Sequence, residues 1–372
     1  MYPNRFLHPA CLVVLALSTG AGVTSARAEI DDNKVLTRPV GPEVAPLKKG
    51  RLATGTADGE ATGNDAASPD GKGGLTVFER MGADLPPLPP EKEYKGAVDE
   101  AYGAFQRGYY LTALDKALPR AQLGDPVAQT LVGEIISQGL GVKRSSKDAA
   151  FWYGKAAEGG DPTAMFKYAL LLMEGRDVPR DRAKADEYMQ KAADAGNPSA
   201  QFNYAQVLMI ANPGDKGMKL AIPYFEKAAE QGVADAQYAV AQLYLAVKDL
   251  EPAKKEQARE WLARAARAGY DTAQLDMGVW LINGIAGPRD YKAGFNWLRR
   301  AAVLGNVAAQ NKLAHLYINA IGTDADPIEA AKWYVVSRRA GLSDSALEDF
   351  YLGLTDEQQK KAIAAANEFQ SR

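Results

Sequence analysis

From Asp125 onward, apolar residues fall three and four apart, as in Ala164, Tyr168 and Leu172 or Ala200, Tyr204 and Leu208, which sets them on one helical face. Each run opens on a compact start signal. Gly160-Asp161-Pro162 supplies the C′ glycine of one helix, the N-cap of the next and a proline at its first position. Gly124-Asp125-Pro126 and Gly196-Asn197-Pro198 do the same. A break follows at Gly139-Leu140-Gly141, Gly175 to Pro179, Asn212-Pro213-Gly214, Gly284 to Pro288 or Gly322, and then a second amphipathic run. The pattern predicts pairs of helices, each of about 12 residues, joined by short turns.

These pairs recur in register. Gly124, Gly160, Gly196, Gly232, Gly269, Gly305 and Gly341 are spaced 36, 36, 36, 37, 36 and 36 residues apart. Four residues after the first six stand Ala128, Ala164, Ala200, Ala236, Ala273 and Ala309, followed by Gln129, Gln201, Gln237, Gln274 and Gln310, with Met165 the exception. Alanine pairs precede the glycines (Ala156-Ala157, Ala192-Ala193, Ala228-Ala229, Ala265-Ala266, Ala301-Ala302), and Trp152, Tyr188, Tyr224, Trp261 and Trp297 stand four residues before them. Trp333 continues that series, with Ser337-Arg338 in place of the alanines. Small side chains let two backbones approach, and the aromatics fill the space between neighbouring hairpins. A hairpin of this kind cannot bury its apolar face alone, so the units stack. The one-residue insertion falls within Leu245 to Ala258, where a loop is expected to absorb it.

These residues resemble the Sel-one-like repeat of the tetratricopeptide superfamily. Ala200, Tyr204, Ala205, Ala221, Tyr224, Phe225, Ala228, Ala229 and Gly232 carry its pattern in one unit, and Gly139, Gly141 and Val142 carry its turn in another. The resemblance covers six units: 125–160, 161–196, 197–232, 233–269, 270–305 and 306–341. It implies an all-α fold, a right-handed α-solenoid of stacked helix-turn-helix hairpins. Tyr102, Phe105, Gly108, Tyr109, Tyr110, Ala113, Leu114 and Ala117 resemble a tetratricopeptide hairpin that starts the stack, over 94–124. Thr355-Asp356-Glu357-Gln358 reads as an N-cap with an acidic first turn, opening a helix to about Phe369 that caps the array within 342–372.

Ahead of the array the composition changes. Arg5, the apolar run Ala10 to Leu17 and Ala26-Arg27-Ala28 read as a secretory signal, residues 1–28, cleaved after Ala28. That run is shorter than the roughly 20 residues of a membrane-spanning helix, and the alternative is an uncleaved inner-membrane anchor. Residues 29–93 hold eight Pro, nine Gly and one aromatic, Phe78. Such a stretch cannot bury enough apolar surface to fold, and reads as a disordered linker whose Leu85 to Pro90 section is extended. Cleavage leaves a mature chain without cysteine, which suits a periplasmic or secreted protein.

The 372 residues carry 44 Lys+Arg against 46 Asp+Glu, a net charge of −2, which argues against nucleic acid as a partner. One cysteine (Cys11) and two histidines (His8, His315) exclude a disulfide framework and a Cys/His zinc site. Gly71-Lys72-Gly73-Gly74 lacks the preceding strand and the spacing of a phosphate-binding loop. No catalytic, cofactor or metal residue is expected.

The candidate binding residues are those six after the glycines: Thr130, Phe166, Phe202, Tyr238, Leu275 and Asn311. As a stripe along successive first helices they would line the concave groove and hold an extended peptide; the alternative is that they pack against the neighbouring hairpin. Met173 and Met209 read either as an adaptable patch or as core. His315 reads as a pH-sensitive contact or an ordinary surface side chain. Arg299-Arg300 and Arg338-Arg339 either grip an anion or complement the helix dipole.

The family resemblance implies protein–protein or protein–glycan adaptors: partners in membrane-associated degradation, regulators of envelope polysaccharide synthesis, inhibitors of sensor kinases. Members with two cysteines per unit are disulfide-bonded; these units have none, so penicillin-binding activity is not carried over. The expected function is a non-enzymatic envelope scaffold for protein–protein interaction, with an envelope protein or peptide segment as partner, glycan as a second partner class, and no membrane span after signal cleavage. The alternatives are an activator or component of a system acting on cell-wall glycan, and a proteolytically controlled inhibitor of a sensor kinase.

Overall fold

A computed structural model describes residues 99–369; the expected signal 1–28 and linker 29–93 lie outside them. Sixteen helices follow one another without a strand among the described residues. The opening pair is α1 (Glu100–Gln106) and α2 (Tyr110–Gln122). Six hairpins follow: α3 (Pro126–Gln138) with α4 (Ser146–Glu158), α5 (Pro162–Glu174) with α6 (Arg182–Asp194), α7 (Pro198–Ala211) with α8 (Asp215–Glu230), α9 (Ala234–Ala246) with α10 (Pro252–Arg267), α11 (Asp271–Asn283) with α12 (Tyr291–Val303), and α13 (Val307–Ile318) with α14 (Pro327–Arg339). The last two are α15 (Ser345–Leu352) and α16 (Asp356–Glu368). Each helix packs on its hairpin partner, and each second helix also packs on the first helix of the following hairpin, which makes a repeat solenoid.

The turn from one hairpin to the next is built by the glycine series. All seven glycines have φ between 89° and 98°, a left-handed conformation that costs a side-chain-bearing residue about 1 kcal/mol or more. With the glycine turned this way, the N–H of the following N-cap reaches back to the helix just ended: Asp161 to Ala156 O (3.0 Å), Asn197 to Ala192 O (3.0 Å), Asn306 to Ala301 O (3.0 Å). The same N-cap residues accept forward, Asp161 from the Ala164 N–H and Asn197 from the Ala200 N–H. One three-residue signal therefore ends a helix and starts another.

The alanines are buried to the last atom. Ala156, Ala192, Ala228, Ala265 and Ala301 are 0% exposed. The first alanine of each pair presents its carbonyl to the next N-cap, and the second presents its carbonyl to the glycine N–H and, except at Ala157, where Met165 replaces the glutamine, to a buried glutamine. Gln129 Nε2 donates to Ala121 O, Gln201 to Ala193 O, Gln237 to Ala229 O, Gln274 to Ala266 O and Gln310 to Ala302 O. The aromatics four residues ahead lean on the first helix of their own hairpin, as in Tyr188 on Tyr168 (5.7 Å) and Tyr224 on Tyr204 (4.9 Å).

The one-residue insertion lies at the connection between α9 and α10, which spans 247–251 where the preceding hairpin has 212–214; α10, like α8, runs 16 residues. Pro252 at the first position fixes the start of α10. At the far end, α16 opens on a capping box between Thr355 and Gln358 and buries Ala362 and Ala366 in one cluster with Trp333 and Tyr334.

Candidate interaction surface

The residues six after each glycine do not behave alike. Thr130 Oγ1 donates to the carboxylate of Asp161, the N-cap of α5 (2.9 Å). Tyr238 O–H donates to Asp276 Oδ2 on α11 (2.9 Å), and its ring lies 5.1 Å from Tyr270. Asn311 Nδ2 donates to Asp344 Oδ2, the N-cap of α15 (3.0 Å). These three tie one first helix to the next element of the stack. Leu275 is half-buried against the C-terminal cluster. Phe166 and Phe202 are also half-buried, with Phe202 edge-on to Phe225 at 5.6 Å, and neither carries a polar obligation to the next hairpin.

Two carboxylates missed by the sequence reading shape the electrostatics of this row. Asp276 is held by Tyr238 and Gln242, both at 2.9 Å. Burial pushes its carboxyl above the usual range, against the pull of those two donors. Burial, with the Asp276 charge beside it, likewise pushes the Tyr238 hydroxyl well up. Asp344 shows the opposite balance. Burial pushes it up, but His315 Nε2 (2.9 Å), Asn311 and the Leu347 N–H together hold it at about 2. His315 is thus half of a polar tie to the α15 N-cap. A sequence sign existed for Asp276, an acid where the other repeats place Leu131, Lys167, Asn203, Ala239 and Lys312; its partners lie in another repeat and gave none.

The central first helices stand apart in burial. On α5 only Ala164, Ala169 and Leu172 are buried, and on α7 only Ala200, Gln201 and Ala205, whereas α9 and α11 each bury six residues. Phe166, Leu170, Met173, Phe202 and Met209 stay half-exposed, and Ile210 is 56% exposed. The two methionines are thus neither free patch nor closed core. Among the described residues no group of three or more His, Cys, Asp or Glu could hold a metal ion, and no helix is long and apolar enough to cross a membrane.

Helix hairpins stacked through small residues, with the first helices aligned in a row, define a tetratricopeptide-like repeat protein. The Sel1 repeat profile matches residues 126–161, 162–197, 198–233, 234–270, 272–306 and 307–340, more than half of the chain, so the chain belongs to the Sel1 repeat family. No curated protein matches it. Among solved structures it is similar to c5321, a protective antigen of uropathogenic Escherichia coli with an SLR fold (24% identity, TM-score 0.59). That alignment covers 73% of this chain and 61% of c5321. It is also similar to a Sel1 repeat protein from Oxalobacter formigenes (26% identity, TM-score 0.53), covering 66% of this chain and all of the other. A Sel1 repeat array is a scaffold for protein–protein interaction.

Proposed function

We propose that the protein is a non-catalytic scaffold of the cell envelope, exported by its N-terminal signal, whose row of first helices docks an extended segment of an envelope protein. Phe166, Phe202, Tyr238, Leu275 and Asn311 follow the path of that segment. Phe166 and Phe202 anchor it, and Tyr238 and Asn311, tied to Asp276 and Asp344, give it a rigid border. The observation that carries this reading is the incomplete burial of α5 and α7, which leaves adjacent aromatic and methionine side chains with area still to bury. A segment laid across them would remove that apolar surface from water at roughly 25 cal/mol per Å².

A photo-crosslinking amino acid placed at 166 or 202 of the full chain, expressed in its native cell, tests the docking. The expected result is one discrete adduct at each position and none at 151, an exposed phenylalanine of the second-helix row. Equal labelling at all three, or none, would overturn the groove reading. Fractionation with intact-mass measurement tests export: the chain should be recovered from the periplasm beginning at Glu29.

A further inference from the structure

The second helices carry their own row, in which four of the aromatic markers have a cation stacked on them from three residues further on. Lys191 lies over Tyr188 (5.9 Å), Lys227 over Tyr224 (5.6 Å), Arg264 over Trp261 (4.5 Å) and Arg300 over Trp297 (5.7 Å). Two of these cations are neutralised from their own helix, Lys191 by Glu187 (2.6 Å) and Arg264 by Glu260 (3.2 Å), as is Lys155 in the same register by Glu158 (3.0 Å). At α12 the position of Glu187 and Glu260 is occupied by Asn296. Arg300 consequently has no ion pair or side-chain hydrogen bond among the described residues, although its guanidinium is already placed over the indole. Lys227 also lacks an ion pair, but α8 balances three lysines with Asp215, Glu226 and Glu230, while α12 carries Lys292, Arg299 and Arg300 and no acid.

The unpaired cation coincides with a concavity. An open cleft of roughly 320 Å³ is lined by Ala293, Asn296, Trp297 and Arg300. Residues 293, 297, 300 and 304 share one helical face, and Leu304 at its end is 48% exposed. A half-buried tryptophan with an exposed arginine over its face presents the residue types on which binding energy concentrates. A guanidinium pre-oriented by stacking also loses less freedom on meeting a carboxylate than a free one. The neighbouring pair shows the contrast, because Arg338 is taken up by Glu348 (3.1 Å).

We propose that the Ala293–Leu304 face of α12 is a second docking surface of the scaffold, which takes an acidic side chain flanked by apolar residues from a segment of a partner protein. The carboxylate pairs with Arg300 and accepts from the Asn296 amide, and the apolar neighbours lie on Trp297, Ala293 and Leu304. This rests on the scaffold reading but on a different face from the first-helix row, so either surface can fail alone.

The probe is the acetylated, amidated pentapeptide Ala-Leu-Glu-Leu-Ala, titrated into the full chain labelled at its tryptophan indoles. Among the five indole N–H signals, that of Trp297 is assigned by its loss in Trp297→Phe. The expected result is a saturable shift of the Trp297 signal, weakened about tenfold when the peptide's Glu is Gln, and weakened as much in Arg300→Gln. Asn296→Glu, which restores the intrahelical partner that Arg264 has, should weaken it similarly without removing any lining apolar atom. Phe202→Ala should leave it unchanged. No shift at millimolar peptide, equal affinity for the Gln peptide, or undiminished affinity in Arg300→Gln would overturn the proposal. Tighter binding of trigalacturonate than of the peptide would also overturn it, by making the ligand an acidic saccharide.

Discussion

At the scale of single residues, the glutamine after the repeat alanine explains why an array of small apolar side chains tolerates a buried amide. Its Nε2 brings a second donor to the carbonyl at the helix end that already accepts from the repeat glycine N–H, so both lone pairs are used where the helix itself supplies no partner. Reversing the amide would set its oxygen against that carbonyl, so the orientation is fixed. The other end of the amide is unequal among the repeats. Gln201 Oε1 accepts from Gln231 Nε2 (2.8 Å), whereas the Oε1 atoms of Gln129, Gln237, Gln274 and Gln310 have no partner among the described residues. The residue corresponding to Gln231, just before the repeat glycine, is Gly159, Ala268, Leu304 or Ala340 in those cases, and none has a side-chain donor. Ala268 is exposed and its backbone (φ −69°, ψ −4°) matches that of Gln231 (φ −80°, ψ 4°). Ala268→Gln should therefore satisfy Gln237 and stabilise the array by about 1 kcal/mol, seen as a higher urea midpoint at unchanged slope. Gln231→Ala should lose a similar amount. No gain at 268 would mean that water already serves the Gln237 oxygen.

At the scale of helices and hairpins, close approach sets most of the tolerances. Gly278 and Gly294 face each other across α11 and α12; a Cβ on Gly278 would lie 2.5 Å from Leu298 Cγ and 3.0 Å from Gly294 O. Gly278→Ala should destabilise by roughly 1–3 kcal/mol through overpacking, despite the better helix propensity of alanine, and a stabilised variant in thermal unfolding would refute that geometry. The α15 cap is held by charge instead. Because the folded Asp344 carboxyl is depressed to about 2, its contribution is complete above the unfolded carboxylate range near ~4 and is lost as pH falls through about 2. Asp344→Asn keeps an N-cap but removes the charge, so it should cost on the order of 2 kcal/mol at pH 7, with the difference from the native chain shrinking between pH 4 and 2. A difference that does not change with pH would assign the effect to the cap hydrogen bond. The contrast between these two cases shows what the sequence made legible. Hairpins, turns and register follow from residues whose backbone demands are local: glycine at positive φ, proline at a helix start, alanine at a crossing. The fate of the first-helix stripe was not legible, because Thr130, Tyr238 and Asn311 answer to Asp161, Asp276 and Asp344 at three different offsets in the next repeat.

At the scale of the whole array, the apolar core is segmented, and the segmentation follows the two proposed surfaces. One large cluster runs from Ala205 to Leu281 and includes Phe225, Trp261, Leu262 and Trp280, and a second runs from Phe295 to Ala366. Between the opening hairpins and these lie two small clusters. One is Ala149, Tyr153, Ala156, Ala157 and Ala164; the other is Ala169, Met189, Ala192, Ala193 and Ala200. A stacked-repeat protein has a stability that is close to a sum of unit and nearest-neighbour terms, so a stretch whose buried side chains are mainly alanine should open first. In hydrogen–deuterium exchange of the free chain, amides of α4 to α6 should exchange before those of α9 to α12; equal protection throughout would mean that the array unfolds as one cooperative block. Phe166 lies inside the soft stretch and Phe202 at its edge, whereas Trp297 and Arg300 stand on a helix backed by the two large clusters. A partner on the first-helix row would order what it binds, losing affinity to that ordering and slowing exchange in α5 to α7. One docking on α12 meets a surface already set and should leave exchange in α5 to α7 unchanged. Exchange in α5 to α7, measured with each partner bound in turn, therefore separates the two surfaces without a substitution in either.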